Sequence, residues 1–278
     1  MTELQQVEFE ILKEFVRICD ELHLTYYLVC GSALGAVKYQ GFIPWDDDLD
    51  VALPRPDYEI FCEKAQNMLP SHLFLQNYKT DPQYPLFMSK IRDNRTTFIE
   101  PLYKHIKMHH GVYIDVFPLD GYPTNEKDII LFEKKKSKYE LHRSVKYAYN
   151  RFSKVNIRHP KAILGYLLYK LFGCWKDSSK ENEKFHQIAS SCWSENSVLW
   201  CNFGNWQGKI EYADKRQYGD GIWAIFEGLK VRIPEKYNEY LTQKYGDWRA
   251  DLPEKEKVAP HRALVCDLKV AYVAYIKK

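Results

Sequence analysis

Apolar and polar residues alternate in a short stretch near residue 50, and this alternation predicts a strand with one buried face. Leu49, Val51 and Leu53 would point toward a core, whereas Asp48 and Asp50 would point to the opposite side. Further apolar runs between turn residues predict strands near 25–30, 73–78, 87–92, 96–100 and 112–117. The chain therefore carries enough short strands to form a sheet.

Helical spacing of apolar residues separates these strands and dominates the second half of the chain. The pattern predicts helices at 4–24, at about 57–69 after a proline, and at 237–245, with helices dominating 127–195. No internal repeat or low-complexity segment interrupts the pattern. We expect an α/β or α+β catalytic core with a helical appendage.

The acidic motif that begins the 49–53 strand is the most informative chemical feature. Asp46, Asp47, Asp48 and Asp50 place four carboxylates within five positions, and such charges stay ionised together only if water or a cation offsets their repulsion. Because Asp48 and Asp50 share one face of a fixed strand, they could bridge a hard cation such as Mg²⁺ or Mn²⁺. The alternation places Asp46 on the same face and Asp47 on the other.

Two other structures, a solvated turn and a calcium-binding loop, could also contain such a motif. Aspartates often cluster in solvated turns, but the alternation from Leu49 to Leu53 and the neighbouring Trp45 favour burial. An EF-hand loop requires glycine at its sixth position and glutamate at its twelfth, where this chain has Val51 and Asp57. The motif therefore favours a metal-dependent phosphoryl-transfer site.

Two further features of the sequence fit the same site. Asp115 is the only charge in the apolar 112–117 strand, and a buried carboxylate is costly unless it binds a metal or forms a salt bridge with a core lysine or arginine. The predicted 25–30 strand ends at Gly31 and Ser32, where glycine permits close approach of the backbone and the hydroxyl could hold a phosphate. We predict that Asp115 completes the acidic site and that Gly31 and Ser32 bind substrate.

Charge argues against nucleic acid as the main partner, because the net charge of the 278 residues is only +3. The basic residues concentrate at 134–180, where thirteen lysines and arginines accompany two acidic residues around the apolar stretch 162–175. This stretch is too short to span a bilayer as a helix. It could lie on an anionic membrane surface, or form a core helix with a solvated basic flank.

Cysteine usage and the amino-terminal residues bear on the compartment. The seven cysteines form no C-x-x-C pair and are typical of reduced thiols. The first residues mix charged and apolar side chains and show no signal core. We expect a cytoplasmic protein, at the inner membrane face if segment 134–180 contacts lipid.

Several motifs of this chain resemble those of the LicD family, in the same order along the sequence. The long motif 41–51 around Trp45, preceded by 31–37 and followed by 54–58, is similar to the family signature. Further similar segments are found at 90–93, 96–98, 114–121, 226–228 and 245–247. Together they extend the resemblance over roughly residues 26–253.

The resemblance implies a fold and a reaction. The fold would be α+β, with a nucleotidyltransferase-like mixed-sheet core over residues 1–125 and a mainly helical region over 126–278 whose last elements complete the active-site cleft. The enzyme would transfer phosphorylcholine, or a related phospho-substituent, from a CDP-choline-like donor to a hydroxyl of a cell-surface glycan of teichoic acid or lipopolysaccharide type, releasing CMP. The acceptor would be lipid-linked, and fukutin-related sugar-phosphate transferases are similar.

Residue roles follow from the same resemblance. Asp48, Asp50 and Asp115 would be the catalytic carboxylates and the metal ligands, and Gly31 with Ser32 would form the turn that cradles phosphate. Asp115 is also our candidate for the base that takes the proton of the acceptor hydroxyl, because burial can raise its basicity. If Asp115 binds the metal instead, another group must take that proton.

A diphosphate donor needs positive charge in addition to the metal. Lys38, Lys90 and Arg92 are the predicted substrate-binding cations, although each could also be an ordinary surface charge. Lys90 and Arg92 would share one face of their strand, and the planar guanidinium group favours Arg92 as the phosphate contact. For a quaternary ammonium group, we predict an aromatic cage drawn from Trp200, Trp206, Tyr218 and Trp223.

Two other functions are compatible with the sequence. A nucleotidyltransferase would use the same acidic site to move a nucleoside monophosphate, and it would release pyrophosphate where the first hypothesis releases CMP. A non-catalytic glycan- or membrane-binding protein would use the carboxylates only to stabilise a loop. Metal-dependent nucleotide binding would argue against that last function.

Overall fold

The computed structural model of the protein describes residues 1–104, 106–152, 164, 167, 171, 179–193, 196–203, 211–259, 261 and 263–276. Within these residues the main sheet is mixed and has seven strands. They are β1 (Tyr27–Leu28), β2 (Asp50–Pro54), β3 (Leu73–Gln76), β4 (Ser89–Asp93), β6 (Tyr113–Gly121), β7 (Leu199–Cys201) and β8 (Tyr212–Asp214). The α+β fold class predicted from the sequence is confirmed.

The order of strands across this sheet is β1-β2-β6-β4-β3, and β7 and β8 continue it from the end of β6. Strands β2 and β6 run parallel, whereas the other neighbours are antiparallel. Two small antiparallel pairs accompany it, one formed by β5 (Thr97–Ile99) with β11 (Val265–Asp267) and one by β9 (Ile222–Phe226) with β10 (Leu229–Ile233). The pair of β2 and β6 lies inside the sheet.

Helices cover both faces of the sheet. They are α1 (Glu3–Glu21), α2 (Cys30–Lys38), α3 (Arg55–Met68), α4 (Glu126–Phe152), α5 (Ser179–Ser190), α6 (Lys215–Tyr218) and α7 (Tyr237–Tyr245). Helices α1 and α3 pack against β2, β4 and β6, and α2 contacts α7. The predicted 237–245 helix is confirmed. None of the helices in the described part of the chain has the length and apolar character needed to cross a bilayer.

Alternating side chains along β2 and β6 give the sheet one face that packs in the hydrophobic core and one face that carries the carboxylates. Leu49, Val51 and Leu53 join Ile114 and Val116 in the main hydrophobic core beneath α1 and α3. The intervening positions of both strands point to the opposite side of the sheet because side chains alternate along a strand. The prediction from the sequence that one face of 49–53 is buried is confirmed.

The amino-terminal helix is tied to the acidic motif through one glutamine. The Gln5 side chain completes a capping box with Thr2, in which each residue accepts a backbone N–H from the other. The Gln5 amide nitrogen also donates to the backbone oxygens of Asp46, at 2.9 Å, and Ile43, at 3.3 Å. A single side chain therefore starts α1 and holds the loop that carries the carboxylates.

A buried ion pair joins α3 to the end of β6. Nε and Nη2 of Arg55 each donate to one oxygen of the Asp120 carboxylate at 2.6 Å, and both side chains are almost completely buried. Arg55 also lies 3.0 Å from Glu59, which in turn is 2.6 Å from His186 on α5. This network connects three elements on the side where β6 ends.

The structure refines several predicted boundaries. The predicted 25–30 strand is reduced to β1, because α2 already begins at Cys30 and contains Gly31 and Ser32 in its first turn. The proposed division at residue 125 stays a prediction, although β7 and β8, which follow it, join the same sheet as β1 to β6. Within the predicted helical segment 127–195, α4 and α5 confirm the prediction for the parts they cover, whereas 153–163, 165–166, 168–170, 172–178 and 194–195 lie outside the described residues.

Candidate active site

The carboxylates predicted from the sequence converge on one cavity. Asp50 begins β2 and Asp115 lies directly opposite it on the parallel strand β6. Both side chains line a cavity of about 620 Å³ together with Asp46 and Asp48. The prediction that Asp115 joins the carboxylates of the motif in space is confirmed. Asp46, which the alternation places on the same face as Asp48, lines the cavity, whereas Asp47 does not.

Mutual repulsion and burial act on this cluster. Burial, followed by the charge of Asp48, raises the pKa of Asp46 to about 8. Burial also raises the pKa of Asp50 well above its usual value, with further contributions from the charges of Asp48 and Asp115. The carboxyl groups therefore need added positive charge in order to be ionised together near neutral pH.

Lys90 supplies one of these positive charges. The β4–β6 register places Lys90 opposite Asp115, and its ammonium nitrogen lies 2.6 Å from a carboxylate oxygen of Asp115. The same nitrogen lies 3.3 Å from the centre of the Tyr113 ring. The structure thus shows the salt bridge that the sequence left open for Asp115, while Lys90 and Asp115 both still line the cavity.

His261 supplies a second counter-charge, and the sequence gave no indication of it. Its Nδ1 lies 3.3 Å from Asp48 and 3.4 Å from Asp47, and its backbone N–H donates to Asp47. Burial lowers the pKa of His261, but the hydrogen bond with Asp47 and the charge of Asp48 outweigh it and raise the pKa to about 9. No spacing rule links residues so far apart, so only the fold reveals this contact.

Lys244 on α7 is a third cation at the cavity that sequence patterns missed. Its side chain is only 3% exposed and is paired with Glu211. Burial raises the pKa of Asp50, and the charge of Lys244 acts in the opposite direction. A lysine held beside a carboxylate site in this way can face the phosphates of a ligand.

The Asp50 carboxylate is the group best suited to a cation. It faces the cavity, and no side chain or backbone N–H of the described residues donates a hydrogen bond to it. Asp46 and Asp48 add oxygen atoms beside it, a donor set that suits Mg²⁺ or Mn²⁺. The described residues hold no ready-made cluster of three His, Cys, Asp or Glu ligands. Lys90 and His261 lie against Asp115 and Asp48.

Gly31 and Ser32 take different places in the site. Gly31 lines the cavity, and a Cβ atom there would lie 2.8 Å from the Asp46 carboxylate, so the missing side chain lets this aspartate approach α2. Ser32 is buried and does not line the cavity, and its hydroxyl accepts the backbone N–H of Asp50 at 2.8 Å. Ser32 therefore positions the start of β2, which corrects its predicted role as a direct phosphate contact.

Removing the Ser32 hydroxyl tests this positioning role. We expect Ser32→Ala to lower the free energy of unfolding by about 1–2 kcal/mol, because the buried Asp50 N–H loses its acceptor. Urea denaturation measures the change, and Ser71→Ala, at an exposed position, should alter stability by less than about 0.5 kcal/mol. Equal stability of Ser32→Ala and the unmodified chain would contradict the role.

The two remaining predicted cations differ in position. Arg92 is completely buried, where it donates to Gln76 and, at 2.6 Å, to the backbone oxygen of Gly111. It lies behind the Tyr113 ring and does not line the cavity, so the phosphate contact predicted for it is wrong. Lys38 does line the cavity, with its ammonium group 3.1 Å from Asp251.

The aromatic rings around the cavity are not those predicted for the cage. Trp200 and Tyr218 pack against each other in the core, and Trp223 is exposed on β9, while Trp206 lies outside the described residues. The aromatic residues that line the cavity are Tyr39, Trp45, Tyr103, Tyr113, Phe117, Tyr245 and Trp248. The predicted cage is therefore wrong for the residues that can be placed.

The fold and the cavity define an α+β protein with a carboxylate site flanked by buried lysines. A family model described as LicD/FKTN/FKRP, nucleotidyltransferase domain, matches residues 23–162. The lipopolysaccharide cholinephosphotransferase LicD of Haemophilus influenzae is 31% identical over 267 residues, which cover 94% of this chain and 95% of that protein. This chain belongs to the LicD family.

Shorter similarities are found to two uncharacterized rickettsial proteins. The one from Rickettsia prowazekii is 35% identical over 49 residues, which cover 18% of each chain. The one from Rickettsia typhi is also 35% identical over 49 residues, covering 18% of this chain and 16% of that protein. These matches carry no information on function.

Proposed function

We propose that this protein is a metal-dependent phosphotransferase that moves phosphorylcholine from a CDP-activated donor to a hydroxyl of a cell-surface glycan and releases CMP. The observation that carries the proposal is the convergence of Asp48, Asp50 and Asp115 with Lys90 and a second buried lysine at one cavity. The relative from Haemophilus influenzae, which is named a lipopolysaccharide cholinephosphotransferase, supports the transferred group and the acceptor class.

Asp48 and Asp50 would hold the cation, with Asp46 beside them. A bound Mg²⁺ or Mn²⁺ neutralises phosphate charge as the bond to the leaving group breaks. Lys90 and Lys244 face the same cavity and would bind the oxygens of the diphosphate. Because these groups are fixed by strands and by a buried ion pair, they are already oriented before the donor binds.

The acceptor hydroxyl would attack the phosphorus that carries the choline. Asp115 is held by Lys90 on the floor of the cavity, where it can serve as the third ligand or accept the proton of that hydroxyl. These are the two roles that the sequence left open. The bond between this phosphorus and the bridging oxygen of the diphosphate would break, and CMP would leave with that oxygen.

The acceptor would be a lipid-linked glycan, of lipopolysaccharide or teichoic acid type. Peripheral contact with a membrane through 134–180 stays a prediction, since 153–163, 165–166, 168–170 and 172–178 lie outside the described residues. Cytoplasmic residence likewise stays a prediction.

The direct test measures CMP release from CDP-choline, with CDP-ethanolamine, CDP-glycerol and CDP-ribitol in parallel, and a lipid-linked glycan fraction as acceptor. We expect release from CDP-choline in Mg²⁺ and none in EDTA. Pyrophosphate release from a nucleoside triphosphate in place of CMP release would favour nucleotidyl transfer. If the folded protein released CMP from none of these donors, the result would contradict the proposal.

A further inference from the structure

One wall of the cavity is apolar and lies beside the Lys90–Asp115 pair. Two residues farther along the same face of each strand are Met88 and Phe117, and both line the cavity. Met88 immediately precedes β4, where Ser89 pairs with Val116, and Met88 and Phe117 belong to the same buried apolar cluster. One such step along a strand is about 7 Å, so the apolar wall begins close to the carboxylate floor.

A carboxylate belongs to this wall. Glu100 follows β5 and lines the cavity together with Leu86 and Tyr103. The backbone N–H of Tyr103 donates to the backbone oxygen of Glu100 at 3.1 Å, so a single turn carries both side chains. Burial and then the charge of Glu100 raise the pKa of Tyr113, whose ring lies against Lys90. Glu100 is therefore within electrostatic range of the reactive end of the cavity.

Glu100 differs from several acidic groups near the cavity, because their charges are already paired or hydrogen-bonded. Asp47 accepts from His261, Asp115 pairs with Lys90, and Glu211 pairs with a lysine. No ion pair or side-chain hydrogen bond to Glu100 is formed within the described ranges. Its charge is thus available to a ligand. A phosphate would be repelled by this carboxylate, whereas a cationic group would be attracted.

The chemistry of this wall fits one class of cation. A quaternary ammonium group donates no hydrogen bonds and is bound by a nearby negative charge together with aromatic and apolar contacts. Leu86, Met88 and Phe117 offer methyl and ring surfaces without hydrogen-bonding atoms. A polyol such as glycerol or ribitol would lose hydrogen bonds to water against them and gain few in return.

We propose that Glu100, with Tyr103, Leu86, Met88 and Phe117, forms the subsite for the quaternary ammonium group of the donor. This inference rests on the proposed function, because it assigns the choline end of the same CDP-activated substrate. It places the head group beside the Lys90–Asp115 pair, one strand step from the phosphate that is transferred. The subsite selects choline by the charge of Glu100 and by the apolar surfaces of Leu86, Met88 and Phe117.

Glu100→Gln tests the inference, with CDP-choline compared against its uncharged isostere, CDP-3,3-dimethylbutanol, in which carbon replaces the nitrogen. We expect the unmodified enzyme to prefer CDP-choline by about tenfold in kcat/KM, equivalent to about 1.4 kcal/mol. In Glu100→Gln this preference should fall to nearly one, mainly through a higher KM for CDP-choline. The isostere itself should be used equally well by both proteins.

A matched control and a binding measurement separate the possible outcomes. Glu63→Gln removes an exposed glutamate from α3 and should leave the preference unchanged. Calorimetric titration without acceptor should show that Glu100→Gln binds CDP-choline more weakly than the unmodified protein does. The two proteins should bind CMP equally well. Undiminished preference in Glu100→Gln overturns the subsite, whereas the absence of CMP release by the unmodified enzyme overturns the proposed function.

Discussion

Replacing Asp50 with asparagine should reduce turnover by about a thousandfold or more while the chain stays folded. Asp50 faces the cavity without a hydrogen-bond donor among the described residues, which is why we assign it to the cation. Losing a charged ligand removes several kcal/mol of transition-state stabilisation from phosphoryl transfer. The fold should not suffer, because burial and then the charges of Asp48 and Asp115 raise the pKa of Asp50, and the amide removes the charge that both effects disfavour.

Turnover and thermal unfolding should be measured together, each in Mg²⁺ and in EDTA. Mg²⁺ should raise the Tm of the unmodified protein, since a ligand that binds the native state stabilises it, and this rise should vanish in Asp50→Asn. Asp20→Asn, at an exposed position near the end of α1, is the matched control and should behave like the unmodified protein. Activity of Asp50→Asn within tenfold of normal would rule out its role as a ligand.

The second large effect concerns stability. Arg55→Met should lower the free energy of unfolding by about 3–5 kcal/mol, because it leaves the Asp120 carboxylate buried without its partner. Both guanidinium contacts are 2.6 Å long and closed to solvent, so water cannot replace the lost charge. The variant should unfold at a much lower urea concentration.

The double variant Arg55→Met/Asp120→Leu should recover much of this loss, because apolar residues of similar volume can replace a buried ion pair. Lys13→Met breaks an exposed pair with Glu10 and should cost less than about 1 kcal/mol. If Arg55→Met cost no more than Lys13→Met, the buried pair would not stabilise the fold as we infer.

The sequence predicted the floor of the site well, because the floor depends on local periodicity. Alternation alone placed Leu49, Val51 and Leu53 in the core and Asp48 and Asp50 on the opposite face. A lone charge in an apolar strand requires compensation, which is why Asp115 could also be identified. Both inferences need only the period of a strand.

The walls of the site could not be predicted in the same way. His261 and Lys244 reach the cavity through contacts between distant segments, and no short motif marks them. Arg92 was assigned to phosphate because guanidinium groups suit that role, but side-chain type does not reveal whether internal acceptors such as Gln76 already bind the group. Trp200 was likewise assigned from composition, whereas packing decides which rings reach a cavity.

The Gln5 amide bonds bear on how this protein can be divided. They attach the acidic loop to a helix that precedes the segment 23–162 matched by the family model, while Lys244 and His261 follow that segment. A fragment cut at the matched boundaries would lose the brace on one side of its carboxylates and two of their counter-charges on the other. Chimaeras between relatives should therefore take α1, the acidic loop and the segment that carries Lys244 and His261 from one parent. Surface segments can be exchanged.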